Sequence, residues 1–124
     1  MTDSIHTSKA PEALGPYSQA VRVGGFVFTS GQIPLTPAGA MNATDALSQA
    51  NQCLDNIEAI LNEAGLKLSD VVKTTIYLTD IKDFDAVNEA YAKRFTAPFP
   101  ARSCVEVSAL PKGVSVEIEA IAQA

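Results

Sequence analysis

The stretch that decides the fold runs from residue 98 to residue 121 and reads PFPARSCVEVSALPKGVSVEIEAI. Polar and apolar residues alternate with period two over 102–107 and again over 115–121, which predicts two strands with two unlike faces each. Leu110–Gly113 between them has the composition of a turn. The alternation places Arg102, Cys104 and Glu106 on one face of the first strand. It places Glu117 and Glu119 on the polar face of the second.

These two strands hold a fixed cation and carboxylates on rigid backbone, which is the chemistry that a small anionic substrate needs. Arg102 can form a bidentate, charge-assisted pair with a carboxylate. From spacing alone, a salt bridge to Glu119 or Glu106 across the sheet is the simpler interpretation. Glu117 can act as a general base toward water, although both it and Glu119 also fit plain solvated strand carboxylates.

The composition limits the class of protein. The 124 residues, 47% hydrophobic and 19% charged, predict one globular domain over 1–124 with a single core. A net charge of −5 disfavours general binding to nucleic acid. No apolar run approaches the roughly 20 residues of a membrane span, and the N-terminus lacks the pattern of a secretory signal.

The two cysteines, Cys53 and Cys104, lie in a predicted helix and a predicted strand without the spacing of a disulfide framework. We therefore expect both to be reduced, which together with the missing signal predicts a cytoplasmic protein.

The remaining elements follow from periodicity and from turn residues. Gly24-Gly25 predicts a hairpin, and Gly65 fits the residue that closes a helix. Thr44 or Asn42 is expected to cap the start of that helix. The predicted elements, in chain order, are an edge strand at 3–7, strands at 18–23 and 26–30, a helix at 44–64, a strand at 71–79, a helix at 83–95, and strands at 102–107 and 115–121.

Strand–helix–strand crossovers favour one handedness, so both helices should cover the same face of the sheet. The predicted fold is an α+β two-layer sandwich with a mixed six-stranded sheet. Strand 115–121 should lie between 26–30 and 71–79, antiparallel to both. We expect the uncovered face to carry Arg102, Cys104 and Glu117 together with Lys73 and Tyr77. Arg102 and Glu117 would then be about 10 Å apart in one chain.

Cys104 beside a cation invites a role as nucleophile. The sequence has a single histidine, His6, in a predicted edge segment, so a Cys–His pair has little support. One histidine and two distant cysteines form no zinc set, and no glycine-rich phosphate loop is present. The sequence therefore predicts neither a metal nor a cofactor.

Four other polar or small residues have simple structural interpretations. Tyr17 follows a Gly-Pro turn and fits a packing aromatic, and Ser30 and Gly31 fit loop residues. Asn88 lies on or beside the apolar stripe of the helix at 83–95, where a buried amide would need partners.

Several motifs resemble those of one family. Pro100–Val107, Leu110–Lys112 and Val116–Ala120 closely resemble the C-terminal signature of the RidA/YjgF family, the reactive intermediate (enamine/imine) deaminases. Gly15–Tyr17 and Thr29–Pro34 resemble further motifs of that family, so the likeness runs along nearly the whole chain.

The resemblance implies a chorismate-mutase-like fold and a homotrimer with active sites between subunits. It favours substrate binding by Arg102 and selects Glu117 over Glu119 as the active-site carboxylate. It places the hydroxyl of Tyr17 in the site and gives Cys104 a shaping role. Three further residues would line or support the pocket, namely Ser30, Gly31 and Asn88.

The implied activity is cofactor-independent hydrolysis of 2-aminoacrylate and 2-aminocrotonate, through iminopropanoate and iminobutanoate, to 2-keto acids and ammonia. This would protect pyridoxal-phosphate enzymes from damage. Two alternatives stay open: a regulatory protein that binds small carboxylates, and an endoribonuclease-type translation inhibitor. The acidic charge and the single histidine weigh against the latter.

Overall fold

The computed structural model describes residues 2–124, so that only Met1 of the predicted domain range lies outside it. Six strands form one mixed sheet in the order β1-β2-β3-β6-β4-β5. The strands are β1 (Asp3–Ile5), β2 (Ala20–Val23), β3 (Phe26–Thr29), β4 (Val71–Leu78), β5 (Ala101–Glu106) and β6 (Val116–Gln123), and the helices are α1 (Ala46–Glu63) and α2 (Phe84–Ala92).

The last strand lies inside the sheet, as predicted. β6 pairs antiparallel with β3 on one side and with β4 on the other. β5 pairs parallel with β4 and forms the edge. The long α1 crossover between β3 and β4 leaves the space that β6 fills, which satisfies the backbone hydrogen bonds of all three strands.

Both helices cover one face of the sheet, so the predicted two-layer α+β sandwich is confirmed. Their apolar stripes share a core with β4 and β6, with Ile57, Val87, Ile76 and Ile118 among its members. The alternation of β4 would place Val72 on the same side as Ile76 and Leu78, but the structure does not. A bulge in β4 between Val71 and Lys73 shifts the alternation, so Val71 is buried and Val72 exposed.

The helix ends differ slightly from the predictions. Asp45 caps α1, rather than Thr44 or Asn42, because its carboxylate accepts from the backbone N–H of Ser48 at 2.7 Å. Gly65 closes α1 in the left-handed conformation, with φ of 80°. α2 begins after a single 3₁₀ turn at Ile81–Asp83 and ends at Ala92, earlier than the predicted residue 95.

Among residues 2–124, no helix covers the second face of the sheet. Large apolar side chains remain accessible there, including Phe26, Phe28 and Val105. Within residues 2–124, neither helix combines the length and the apolarity that crossing a lipid bilayer requires.

Candidate active site

Glu117 lies in the middle of the sheet, on the face without helices. In β6 it pairs with Tyr77 of β4, two residues from the Glu119–Thr75 pair on the same face. The flanking residues Val116 and Ile118 point into the core and are fully buried. The carboxylate of Glu117 is therefore held by a central strand whose other side packs against both helices.

A loop presses directly against this carboxylate. Gln32 and Ile118 exchange backbone hydrogen bonds of 2.8 and 3.1 Å, which bring the loop after β3 alongside β6. A Cβ atom on Gly31 would collide with Oε2 of Glu117 and lie 2.9 Å from its Cδ. Only glycine gives the backbone this close approach without displacing the carboxylate.

The position of Glu117 changes its acidity. Partial burial raises the pKa of this carboxyl above its ordinary value, and the charge of Glu119 raises it further. Near neutral pH such a group is a stronger base than an exposed glutamate. Glu119 faces the same side but contributes to Glu117 only through its charge.

Tyr17 and Ser30 lie on the loops next to Gly31. A cleft of about 150 Å³ is lined by Tyr17, Gly31 and Lys112, among others. Tyr17 is 54% exposed, and its hydroxyl oxygen accepts from the Leu14 N–H at 3.4 Å. Ser30 donates its hydroxyl to the Ser18 carbonyl at 2.6 Å, which ties the two loops together.

Arg102 lies in a second place, on the helix side of edge strand β5. Its Nη1 donates to Oδ1 of Asn88 at 2.7 Å, which is the one hydrogen bond that the guanidinium makes within residues 2–124. Its Cζ lies 5.4 Å from the ring centre of Phe84 and 5.0 Å from that of Tyr91. An open cleft of about 420 Å³ adjoins the guanidinium and is lined by Asn88, Tyr91 and Arg102, together with Phe99 and Pro100.

The salt bridge from Arg102 to Glu119 or Glu106 is absent among the described residues. Glu106 instead accepts from the backbone N–H of Ile81 at 2.8 Å, and Glu119 is on the opposite face. Asn88 is exposed rather than buried, and Arg102 is the partner that its amide finds.

Cys104 follows Arg102 on the same side of β5 and packs against the core. Burial raises the pKa of this thiol, and the Arg102 charge opposes the rise only in part. The thiol form is therefore favoured, which argues against a reactive thiolate. The second cysteine, Cys53, is fully buried under the sheet and is also free.

The prediction that one face of the sheet carries Arg102, Cys104 and Glu117 is wrong. Arg102 pairs with Thr74, which is buried beneath the helices, whereas Glu117 pairs with Tyr77 on the other face. The alternation within β5 was predicted correctly but assigned to the wrong side of the sheet.

The expected separation of about 10 Å also needs correction. Tyr77 pairs with both Glu117 and Val105, so Arg102 lies two strands across and three residues along from Glu117. With strands about 4.8 Å apart and a rise of about 3.3 Å per residue, the two Cα atoms are about 14 Å apart. The predicted site residues thus fall into two groups, called half-sites below: one around Glu117 with Gly31, Ser30 and Tyr17, and one around Arg102 with Asn88 and Cys104.

The residues under the guanidinium are not among the predicted site residues. Phe84 and Tyr91 fit the apolar stripe of α2, and that pattern alone gives them no second role. The spacing of Phe84, Asn88 and Tyr91, four and then three residues apart, places all three on one side of the helix and could have revealed a shared ligand for Arg102.

Comparisons with known proteins place this chain among related proteins over nearly its whole length. A family model described as Endoribonuclease L-PSP matches residues 7–124. The 2-iminobutanoate/2-iminopropanoate deaminase of Escherichia coli K12 is 52% identical over 125 residues, covering 98% of each chain. The RutC family protein y4sK of Sinorhizobium fredii is 53% identical, covering 98% of this chain and 97% of that protein.

The comparison with solved structures indicates the same family. The crystal structure of the YjgF gene product of Escherichia coli superposes with a TM-score of 0.93 at 51% identity and covers 98% of each chain. The resemblance seen in the motifs thus extends to the whole fold, and the chain belongs to the RidA/YjgF family.

Proposed function

We propose that this protein hydrolyses 2-imino acids and their enamine tautomers to 2-keto acids and ammonia. Protonation at C3 converts 2-aminocrotonate or 2-aminoacrylate to the imine. Water adds to the imine carbon, the nitrogen takes up a proton, and the C–N bond breaks to release ammonia and leave the keto group. The overall change consumes one water molecule.

The observation that carries this proposal is the position of Glu117. A half-buried carboxylate with a raised pKa lies against the bare backbone of Gly31 on a face without helices. Such a group can orient a water molecule and accept its proton as the water attacks. Imines already hydrolyse in water, so positioning and general-base catalysis suffice. We assign the hydroxyl of Tyr17 a place beside the reacting nitrogen or water, and Ser30 and Gly31 the wall of the pocket.

The guanidinium of Arg102 is suited to bind the carboxylate of the substrate. Within residues 2–124 no acidic side chain neutralises its guanidinium, and Asn88 occupies only one of its N–H groups. The remaining N–H groups can hold a carboxylate in two parallel hydrogen bonds. Cys104 lies two residues after Arg102 in β5. We assign it a role in shaping this side of the pocket, without covalent chemistry.

We propose further that the two half-sites meet between copies in a homotrimer. Within one chain the Cα atoms of Arg102 and Glu117 are about 14 Å apart, and the two side chains point to opposite faces of the sheet. One small substrate cannot contact both. The accessible Phe26, Phe28 and Val105 on the face without helices are the kind of apolar surface that an interface covers. A neighbouring copy that brings its Arg102 to this face would complete the site and cover the patch.

The curated name of the Escherichia coli relative supports this activity, because that protein covers nearly the whole chain. A cleft of about 310 Å³ beside α1 is a poorer candidate site. Asp55, Glu58 and Glu63 line it, and their charges disfavour an anionic substrate.

The direct test is a coupled assay. A threonine dehydratase supplies the imine, and the appearance of 2-oxobutanoate is followed with and without this protein. We expect the wild-type protein and Glu119→Gln to accelerate its appearance and Glu117→Gln to do so much less. An unchanged rate with wild-type protein that nevertheless binds 2-oxobutanoate would support the alternative of a carboxylate-binding regulator.

A second candidate is RNA cleavage, which the description of the family model names. The same preparation incubated with a structured RNA tests it, with Glu117→Gln as the matched control. Cleavage by the wild-type protein that is lost in Glu117→Gln would favour this candidate.

A further inference from the structure

Arg102 rests on a cradle of side chains from α2. Phe84, Asn88 and Tyr91 lie on one side of that helix, and both rings are within the roughly 6 Å at which a cation and an aromatic face attract each other. Asn88 fixes the guanidinium from between them through the 2.7 Å hydrogen bond. An exposed arginine on an edge strand is thereby held in one place.

The ring nearer to Arg102 is itself anchored inside the protein. The hydroxyl of Tyr91 forms a 2.8 Å hydrogen bond with Oγ1 of Thr74. Tyr91 is 5% exposed and Thr74 is 1% exposed, and the Tyr91 ring also packs against Phe95 with 4.5 Å between centres. Burial raises the pKa of Tyr91, so the phenol stays protonated at neutral pH and the ring carries no charge of its own.

The other two arginines are held differently. Arg94 pairs with the carboxylates of Asp55 and Glu58, and Arg22 donates to the carbonyl of Ala64 at the end of α1. A carboxylate partner neutralises the charge of a guanidinium and occupies its N–H groups. Two rings and one amide oxygen orient Arg102 while leaving its charge and most of its donors for a ligand.

We propose that Thr74 and Tyr91 are positioning residues for the substrate carboxylate, acting through Arg102. The Thr74–Tyr91 hydrogen bond fixes the ring on which the guanidinium lies, so Arg102 holds its binding conformation before the substrate arrives. This inference rests on the proposed carboxylate-binding role of Arg102. Ordering one long side chain on binding weakens affinity by about two- to tenfold, and the cradle removes that loss.

The test uses the full chain with Tyr91→Phe and Thr74→Val, which remove one hydroxyl each and keep the shape. Thr74→Ser is the matched control because it retains the hydroxyl. Three measurements are made: the Kd for 2-oxobutanoate, the steady-state KM and kcat, and the mobility of the Arg102 guanidinium from its side-chain ¹⁵N NMR signals. The chain has three arginines, so Arg102→Lys assigns the signal.

We expect Tyr91→Phe and Thr74→Val to free the guanidinium and to raise Kd and KM by about two- to tenfold, with kcat nearly unchanged. Thr74→Ser should match the wild-type protein. A variant that only lowers the melting temperature, with Kd and the Arg102 signal unchanged, would overturn the proposal. If Tyr91→Phe fails to fold, Thr74→Val alone removes the hydrogen bond and leaves both rings in place, with the same expected and contradicting results.

The Kd for 2-oxobutanoate and the Arg102 NMR signal together separate this inference from the proposed function. Equal binding of 2-oxobutanoate by the wild-type protein and by Arg102→Lys would contradict the carboxylate-binding role of Arg102. In that case the positioning inference falls with it, whatever the NMR signals show. If the wild-type protein binds 2-oxobutanoate more tightly than Arg102→Lys does, but the Arg102 NMR signal does not change in Tyr91→Phe, only the positioning role is contradicted.

Discussion

The two half-sites of this protein are built by different means. The Glu117 half-site is made of backbone: β6 pairs on both sides, Gln32 bridges to Ile118, and Gly31 touches the carboxylate. The Arg102 half-site is made of side chains: an exposed edge strand carries the arginine, and α2 supplies its partners.

The difference determines how each half-site responds to change. Backbone pairing in the middle of a sheet fixes the main chain of Glu117, and a single Cβ atom at Gly31 is enough to displace its carboxylate. The Arg102 half-site depends on which side chains surround the guanidinium, so we expect substitutions there to weaken the proposed substrate binding in smaller steps.

The largest effect is expected at Glu117. Glu117→Gln keeps the shape but cannot accept a proton, so kcat should fall by about 10²- to 10⁴-fold, while Glu119→Gln loses little. The measurement is the steady-state rate of 2-oxobutanoate formation. Equal losses in the two variants would mean that the wrong carboxylate has been assigned.

The stability of Glu117→Gln provides its control. Because the folded state raises the pKa of Glu117, the ionised carboxylate destabilises the fold above pH 4.5. The glutamine variant should therefore unfold at a temperature no lower than the wild-type protein at pH 7. This difference should disappear as the pH falls below 4.5, where the carboxyl is protonated in both states.

The backbone half-site can be disturbed without touching Glu117. Gly31→Ala should push the carboxylate away, and a displacement of about 1 Å costs about a hundredfold in rate. The flexible end of a side chain gives way here, so the fold should persist. A crystal structure of Gly31→Ala with Glu117 in its original place and full activity would contradict this account of the site.

The side-chain half-site should respond more weakly. Arg102→Lys keeps the charge but loses the planar fork, and charge-assisted hydrogen bonds contribute about 1.5–3 kcal/mol, so kcat/KM should fall by about ten- to a hundredfold. Saturation kinetics should place most of the change in KM. A lysine variant with wild-type efficiency would exclude the bidentate clamp.

The smallest effect is a shift in pH dependence. The rate should fall as the pH drops through the raised pKa of Glu117, because protonation removes the base. Burial contributes most to that pKa and the Glu119 charge contributes less. Glu119→Gln should therefore move the acid limb of the kcat profile to lower pH without abolishing it. An acid limb at the same pH in both proteins would show that another group controls it.

The sequence predicted most of the fold because its signals were local and independent of the tertiary environment. Alternation identified β4, β5 and β6, and the long crossover at α1 placed β6 inside the sheet. The family motifs pointed to the residues of both half-sites. Asp45 was overlooked as the cap of α1 because three polar residues near 42–45 could each have served.

The side of the sheet that Arg102 faces could not be read from the pattern. Ser103 and Val105 of β5, together with Val107 just after it, form the more apolar row, which by its pattern alone belongs in the core. In the structure Val105 is exposed on the face without helices, and Arg102 lies on the helix side because the rings of Phe84 and Tyr91 support its charge there. A two-residue period fixes which residues share a face but not which face is buried.

The measurement that tests the central claim most directly is subunit mixing. Arg102→Ala and Glu117→Gln chains, each inactive alone, are dissociated, combined in equal amounts and reassembled. In a cyclic trimer every mixed assembly contains one cleft with both groups intact, so random mixing should restore about one quarter of the wild-type activity. No recovery, with mixed trimers demonstrated by native mass spectrometry, would place the whole site within one chain and contradict the account.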